Sequence, residues 1–186
     1  MSRDKKREKI ESSKKRTIKS VDDNKKSVFY TADNGKLTCN ICARKCVLNE
    51  GVFGFCGTKA NINGKFIDTI DGKSISLHVE PIEKKGLFHY YPGEDCMSIG
   101  SLGCNFRCTS CQNFEISQYP RNLLEEYSSE EMLKKIESVG YNFTPDEIVE
   151  YTLSKNLGII AYTYNEPLIS LPYYSRIMRE AKNNSI

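Results

Sequence analysis

Three closely spaced cysteines carry the strongest chemical signal in the sequence. Cys104, Cys108 and Cys111 follow the pattern C-x3-C-x2-C. Thiolates are the usual ligands of iron–sulfur clusters, and ferredoxin-type sites use four cysteines for each cluster. A set of three would leave one iron without a protein ligand, open to a substrate or a cofactor. The alternative is a zinc knuckle, for which Cys96 or His89 could supply the fourth ligand.

A second group of cysteines lies nearer the N-terminus. Its four members follow the spacing C-x2-C-x3-C-x9-C and are Cys39, Cys42, Cys46 and Cys56. Four thiolates suit either a tetrahedral zinc ion or a second iron–sulfur centre, and the spacing does not decide between them. We therefore predict a metal site here without assigning the metal. The remaining cysteine, Cys96, is predicted to be a small buried residue.

The cysteine pattern and the composition restrict the class of protein. Apolar residues make up 39% and charged residues 27% of the chain, as is typical of globular proteins. The longest apolar run, residues 157–164, is far shorter than the roughly 18 residues that a membrane span needs. No apolar segment follows the basic start, so no secretory signal is expected. Clustered cysteines without such a signal indicate metal ligation in a reducing, cytoplasmic compartment.

Positive charge is concentrated in the first 27 residues. They contain 11 lysines or arginines and 5 aspartates or glutamates, whereas the whole chain has a net charge of +3. They also lack aromatic residues and any apolar stripe, so we predict a disordered basic tail over residues 1–27. A solvated tail is favoured over a nucleic-acid-binding or targeting role.

The segment that carries the first four cysteines is predicted to be a small module. Residues 28–93 are punctuated by glycines and have short strand signals between turns. They offer little apolar material for a separate core, so a bound metal would help to explain their folding. We therefore expect a Cys-rich, turn- and strand-rich metal-binding module over this range.

The elements after residue 94 indicate an α/β domain. Buried strands are predicted at 96–101 and 158–163, with the cysteine loop leaving the first of them. Capping boxes at Ser128 and Thr144 predict two helices between the strands, the second running to about Asn156 before Gly158 stops it. A further helix is expected over residues 168–183. This order implies a parallel sheet of βα units.

Longer stretches of the chain resemble the radical S-adenosylmethionine (SAM) superfamily. The C-x3-C-x2-C loop after a first strand is similar to the superfamily signature. Other matching segments begin with the C-x2-C-x3-C pattern at Cys39 and continue at 54–57, 76–85, 88–93, 98–100, 103–105, 111–113, 115–117 and 162–167. Together they resemble the AmmeMemoRadiSam-system radical SAM enzymes, which are similar to pyruvate formate-lyase activating enzyme. The resemblance covers about residues 38–186.

This resemblance implies a definite site. The three cysteines of the loop would hold a [4Fe-4S] cluster, and SAM would bind the fourth iron. Reduction would cleave SAM to methionine and a 5′-deoxyadenosyl radical, which abstracts a hydrogen from the substrate. Glu166, Asn165 and Asn113 are the implied cofactor-binding residues, with Glu166 placed to receive the SAM amino group. The alternative role for Glu166 is to cap the helix that follows it.

Two positions depart from the superfamily pattern. Ser110 stands where an aromatic residue often packs near the adenine, and Phe106 or Phe114 could compensate. Tyr164 and Asn165 replace the two glycines of the Gly-Gly-Glu-Pro turn.

The fold implied by the resemblance is a (β/α)6 partial TIM barrel. Residues 94–186 have room for only about the first two βα units, so we expect a C-terminally truncated domain with an unpaired strand at 158–163. The implied activity is hydrogen abstraction from a substrate, of which a protein glycine is the favoured class, as in glycyl-radical-enzyme activation. An electron donor such as a ferredoxin or a flavodoxin is the implied partner, with no membrane or nucleic acid. The alternative is a non-catalytic zinc- or iron–sulfur-binding fragment.

Overall fold

Short antiparallel strands form the N-terminal part of the described chain. The structure, a computed structural model, describes residues 28–186, and the tail predicted at residues 1–27 lies outside that range. One sheet contains β1 (Tyr30–Asp33), β2 (Lys36–Cys39) and β3 (Val47–Leu48), and a separate hairpin contains β4 (Lys59–Ile62) and β5 (Lys65–Asp68). Both hairpins turn through Asn-Gly pairs with positive φ, as type I′ turns require, at Asn34-Gly35 and Asn63-Gly64.

The cysteine-rich module has more apolar core than the sequence indicated. One buried cluster lies within the module and comprises Leu37, Cys39, Ile41, Leu48 and Phe66. A second cluster joins module residues to later helices and comprises Phe53, Cys56, Ala60, Ile70, Leu102, Leu123, Met132, Ile136 and Ile169. The module therefore has a small core of its own, and its other apolar residues pack against the elements after residue 94.

The central sheet carries the parallel pair that the sequence predicts. Its strands are β7 (Ser76–Pro81), β8 (Asp95–Gly100) and β10 (Ile160–Tyr162), in the order β10-β8-β7. β10 runs parallel to β8, whereas β7 is antiparallel to it. A separate small pair contains β6 (Lys73–Ser74) and β9 (Tyr141–Asn142). Among the described residues β10 pairs only with β8, so it forms one edge of this sheet.

Four helices follow β8 along the chain. They are α1 (Phe114–Glu126), α2 (Ser129–Ser138), α3 (Pro145–Leu153) and α4 (Leu171–Asn183), with a 3₁₀ turn at Pro167–Ser170 before the last. The predicted capping boxes at Ser128 and Thr144 are both confirmed. The predicted end of α3 is wrong: the helix ends at Leu153, and the positive φ falls at Asn156 rather than at Gly158.

Helix α1 is absent from the sequence-based prediction. Its N-cap residue, Asn113, makes no side-chain capping bond, and Pro120 interrupts its backbone ladder. Because of these two features, local sequence rules do not predict the helix. It is stabilised instead by tertiary packing, since Pro120 and Leu123 are buried against the module.

The described residues contain one parallel strand pair with helices around it, and a partial (β/α)6 barrel stays a prediction. Within residues 28–186, no helix combines the length and the apolar character that crossing a membrane requires.

Candidate iron–sulfur site and cysteine cavity

The three cysteines of the C-x3-C-x2-C loop lie at the carboxyl end of β8. Cys104 is buried, Cys111 is partly buried and Cys108 is exposed, and all three thiols are free. The backbone N–H of Phe106 donates to the Cys104 sulfur at 3.5 Å, and the Cys111 sulfur lies 3.3 Å from the Ser117 hydroxyl. The three thiols of the loop therefore differ in burial: one is in the interior, one is at the surface and the third is partly exposed.

Asn165 fixes this loop to the end of β10. Its Nδ2 donates to the Gly103 carbonyl at 2.6 Å and to the Ser101 hydroxyl at 2.9 Å. The Ser170 hydroxyl donates to the same Ser101 oxygen at 2.6 Å. Both amide protons of Asn165 are thus used to position the cysteine loop. Its predicted contact with a cofactor stays a prediction.

On its other side, the cysteine loop is attached to helix α1. The attachment point is a backbone carbonyl that Pro120 leaves without its usual helical donor. A proline in a helix cannot donate to the carbonyl four residues earlier, which here belongs to Ile116. That carbonyl accepts the N–H of Gly103 at 3.0 Å. The proline that hides α1 from sequence rules therefore provides an attachment point for the cysteine loop.

We expect Gly103→Ala to destabilise the protein by about 2–5 kcal/mol, because two costs add. Gly103 has a φ of +82°, where a side chain costs about 1–2 kcal/mol. A Cβ there would also lie 2.6 Å from the Cys56 carbonyl oxygen and 2.6 Å from Thr58 Cγ2. Urea unfolding measures the loss.

Gly64→Ala is the matched control for that substitution. Gly64 has a similar φ of +71°, but a Cβ there meets no atom within 4 Å. It should lose only about 1–2 kcal/mol, the backbone cost alone. Equal losses at Gly103 and Gly64 would contradict the close approach of the loop to Cys56.

Two arginines connect the cysteine loop with the cysteine-rich module. Arg121 donates to the Phe55 carbonyl at 3.0 Å and to the Cys104 carbonyl at 3.1 Å. Arg44 donates to the Asn105 carbonyl at 2.6 Å. Both guanidinium groups lie over the Phe55 ring, at 3.9 Å and 3.4 Å from its centroid. The two groups of cysteines are therefore neighbours in the fold, which their separation in sequence does not indicate.

The second group of cysteines lines one small cavity. Cys39, Cys42, Cys46 and Cys56 all contribute to its wall. Burial raises the pKa of the Cys39 thiol to about 11. As positioned, no three His, Cys, Asp or Glu side chains in residues 28–186 form a group that could hold a metal ion. The predicted ligands thus share a cavity without converging on one point.

Cys96 belongs to neither group. It is fully buried on β8, as predicted, and its sulfur lies 3.3 Å from the Glu80 carbonyl oxygen. Its burial makes it a suitable control for substitutions in the other cysteines.

A polar cleft of about 390 Å³ opens beside the cysteine loop. Its lining residues are Ser76, His78, Glu80, Gln112, Asn113, Glu115, Ile116 and Tyr164. This volume lies within the range of small-molecule sites, roughly 300–1,000 Å³. Asn113, one of the predicted cofactor-binding residues, contributes to the cleft. The Glu166 carboxylate accepts the N–H of Leu168 at 3.3 Å, so it caps the 3₁₀ turn, and its cofactor role stays a prediction.

Tyr164 closes one wall of the cleft in a strained backbone conformation. The φ of Tyr164 is +71°. Its ring packs closely on Gly100: a Cβ added at Gly100 would lie 2.7 Å from the Tyr164 ring. The phenol donates to Glu80 Oε2 at 2.7 Å. Lys84 and Lys85 also pair with Glu80. Sequence rules missed this network because Tyr164 lies 84 residues from Glu80.

We expect Glu80→Gln to remove a stabilising charge whose effect depends on pH. Hydrogen bonds from Lys85 and Tyr164 lower the pKa of Glu80 to about 2. A carboxyl with a lowered pKa in the folded state stabilises the protein above its unfolded pKa of about 4.3. That stabilisation is lost as the pH falls toward 2. The difference in unfolding free energy between wild type and Glu80→Gln should be constant above pH about 5.5 and shrink below it.

Urea unfolding of the metal-free protein over this pH range measures the difference. Tyr164→Phe removes one hydrogen-bond donor and keeps the carboxylate. The difference in unfolding free energy between wild type and this variant should therefore depend less on pH. A difference that stays constant down to pH about 2 would contradict the network.

Comparisons with known proteins give one relationship. No protein-family model matches the chain, and no solved structure matches it. The chain is 42% identical over 146 residues to an uncharacterized protein, MJ0808, of Methanocaldococcus jannaschii. The match takes in 78% of this chain but 40% of that protein, so the chain spans less than half the length of its relative.

Proposed function

We propose that this chain carries the cluster site of a radical SAM enzyme. The observation that carries the proposal is the placement of three free thiols on one loop at the carboxyl end of β8, beside a cleft of small-molecule size. Ligands of α/β proteins commonly bind at the carboxyl ends of parallel strands. β8 and β10 are parallel, and residues that follow the carboxyl end of each strand contribute to the site.

The donor types at the loop suit a [4Fe-4S] cluster with an open iron, but the three sulfurs must move to hold it, because no three such side chains in residues 28–186 converge as positioned. Cys104, Cys108 and Cys111 supply three thiolates, and the N–H of Phe106 directed at the Cys104 sulfur would stabilise negative charge there. The exposure of Cys108 leaves one side of the loop open. Phe106 and Phe114 are each 53% exposed beside the loop, so their rings are available to an adenine.

The chain's own residues would orient the cluster and shape the cofactor site. Asn165 and the Ile116 carbonyl hold the loop at Gly103 from two sides. Asn113 places an amide in the cleft, where it could bind a polar cofactor group. When bound, the cluster and SAM supply a one-electron cleavage that yields a 5′-deoxyadenosyl radical.

Substrate and electron donor are proposed at the level of class. A protein glycine is the favoured substrate, and a ferredoxin or a flavodoxin is the expected donor. Because the chain spans 40% of the length of its M. jannaschii relative, these proposals concern the whole protein. The alternative is a metal-binding protein without catalysis, favoured by the four-cysteine cavity.

The test is reductive cleavage of SAM. The protein is reconstituted with iron and sulfide under anaerobic conditions and incubated with SAM, with and without dithionite. We expect 5′-deoxyadenosine and methionine in equal amounts, only when dithionite is present. A fully loaded cluster that gives no 5′-deoxyadenosine would contradict catalysis by this chain, and protein that takes up zinc but no acid-labile sulfide would favour the alternative.

A further inference from the structure

The fold brings four cysteines from two segments to a single small cavity. Cys39, Cys42 and Cys46 lie in a loop closed by a 2.9 Å bond from the Cys39 N–H to the Cys46 carbonyl. Cys56 reaches the same cavity from the segment before β4. The cavity volume is about 10 Å³, which is roughly the space of one water molecule. A cubane of four irons and four sulfides is much larger than this space.

One residue in the cavity wall has a buried polar atom without a hydrogen-bond partner. Asn105 lines the cavity and is 8% exposed, and its Oδ1 has no hydrogen-bond partner. A buried acceptor without a donor costs about 1–3 kcal/mol. A polar occupant of the cavity could offset this cost, whereas an apolar occupant would not.

We propose that the cavity binds one zinc ion through the thiolates of Cys39, Cys42, Cys46 and Cys56. Zinc in structural sites is held by four protein ligands in a closed tetrahedral arrangement. The sulfurs must move inward to complete the site, because they do not converge as positioned. Cys42 and Cys46 are only partly buried, which leaves them room to move. This zinc site does not depend on the function proposed for the other cysteines.

Charge and hydrogen bonding around the cavity suit an anionic metal centre. One zinc ion with four thiolates has a net charge of −2, and the side chains of Arg44 and Lys59 both line the cavity. The Phe55 N–H donates to the Cys46 sulfur at 3.5 Å, and the Thr58 hydroxyl lies 3.1 Å from the Cys56 sulfur. Such contacts orient ligands and stabilise their charge.

The experiment measures metal in the full chain with the other site disabled. Cys108→Ser protein is purified from zinc-supplemented cultures and analysed by mass spectrometry and zinc X-ray absorption. We expect about one zinc per chain, with four sulfur neighbours at about 2.3 Å. Adding Cys42→Ser should reduce zinc at least tenfold, whereas adding Cys96→Ser, the matched control, should leave it unchanged.

Three results would overturn the proposal. Iron with acid-labile sulfide that is lost with Cys42→Ser would assign a cluster to this cavity instead. Zinc that survives Cys42→Ser would place the ion elsewhere. Reaction of Cys42 and Cys46 with a disulfide reagent that is as fast with excess zinc as without it would mean that no metal binds. Cobalt titration of the zinc-free Cys108→Ser protein adds a test that does not require Cys42→Ser to fold. Cobalt bound by thiolates absorbs visible light, so the absence of this absorption would contradict the site.

Discussion

Cys108→Ala is expected to abolish cluster assembly while leaving the fold intact. Loss of one of three protein ligands should reduce the iron assembled at this loop from about four atoms per chain to less than about one. SAM cleavage should fall by about 100-fold or more, since even residues that only support metal ligands contribute about 10–100-fold. Cys108 is exposed, so the unfolding free energy should change by less than about 0.5 kcal/mol. Iron, sulfide and 5′-deoxyadenosine assays on the reconstituted protein measure these effects.

Cys96→Ala is the control for this substitution. It removes a thiol that is fully buried on β8, the strand that leads into the cysteine loop. It should keep the sulfide content and the SAM cleavage of the wild type. Equal losses in the two variants would mean that cysteine removal acts through folding. An unchanged cluster in Cys108→Ala would exclude Cys108 as a ligand.

Asp68→Asn is expected to destabilise the protein by about 3–5 kcal/mol. Asp68 and Lys59 form an ion pair at 2.9 Å, and each is 1% exposed. Asp68 Oδ1 also accepts the N–H of Ile70 at 3.1 Å. Removing the carboxylate charge leaves the Lys59 ammonium buried without its counter-ion beside the cysteine cavity. Urea unfolding of the metal-free protein at neutral pH measures the loss.

Asp71→Asn provides the comparison for a less buried pair. Asp71 pairs with Arg176, and both side chains are partly exposed, at 24% and 44%. Ion pairs with this exposure contribute about 0–1 kcal/mol. If Asp68→Asn cost no more than Asp71→Asn, the Lys59–Asp68 pair would have to be hydrated rather than buried.

Local sequence rules predicted the features that depend on neighbouring residues. The capping boxes at Ser128 and Thr144 are set by side chains three residues apart, so the two helix starts could be identified from the sequence. The parallel pairing of β8 with β10 followed from the order of strands and helices between them. The spacing of the cysteines also separated the four that line one cavity from the three on the loop after β8, and their role as ligands stays a prediction.

Long-range contacts explain what sequence rules missed. Helix α1 was not predicted because Pro120 breaks the local pattern, and its stability comes from packing against residues far away in the chain. Arg121 joins carbonyls that belong to Phe55 and Cys104, 66 and 17 residues away. Asn105 lines a cavity whose other polar residues are remote in sequence. No periodicity or spacing reveals such partners.

Electron paramagnetic resonance of the reduced, reconstituted protein tests the central claim most directly. The spectrum is recorded with and without SAM, on the wild type and on Cys108→Ala. The account predicts a [4Fe-4S] signal that changes when SAM is added and is lost in the variant, because SAM would bind an iron without a protein ligand. A reduced cluster whose spectrum is the same with and without SAM would contradict the open-iron site at the Cys104–Cys111 loop.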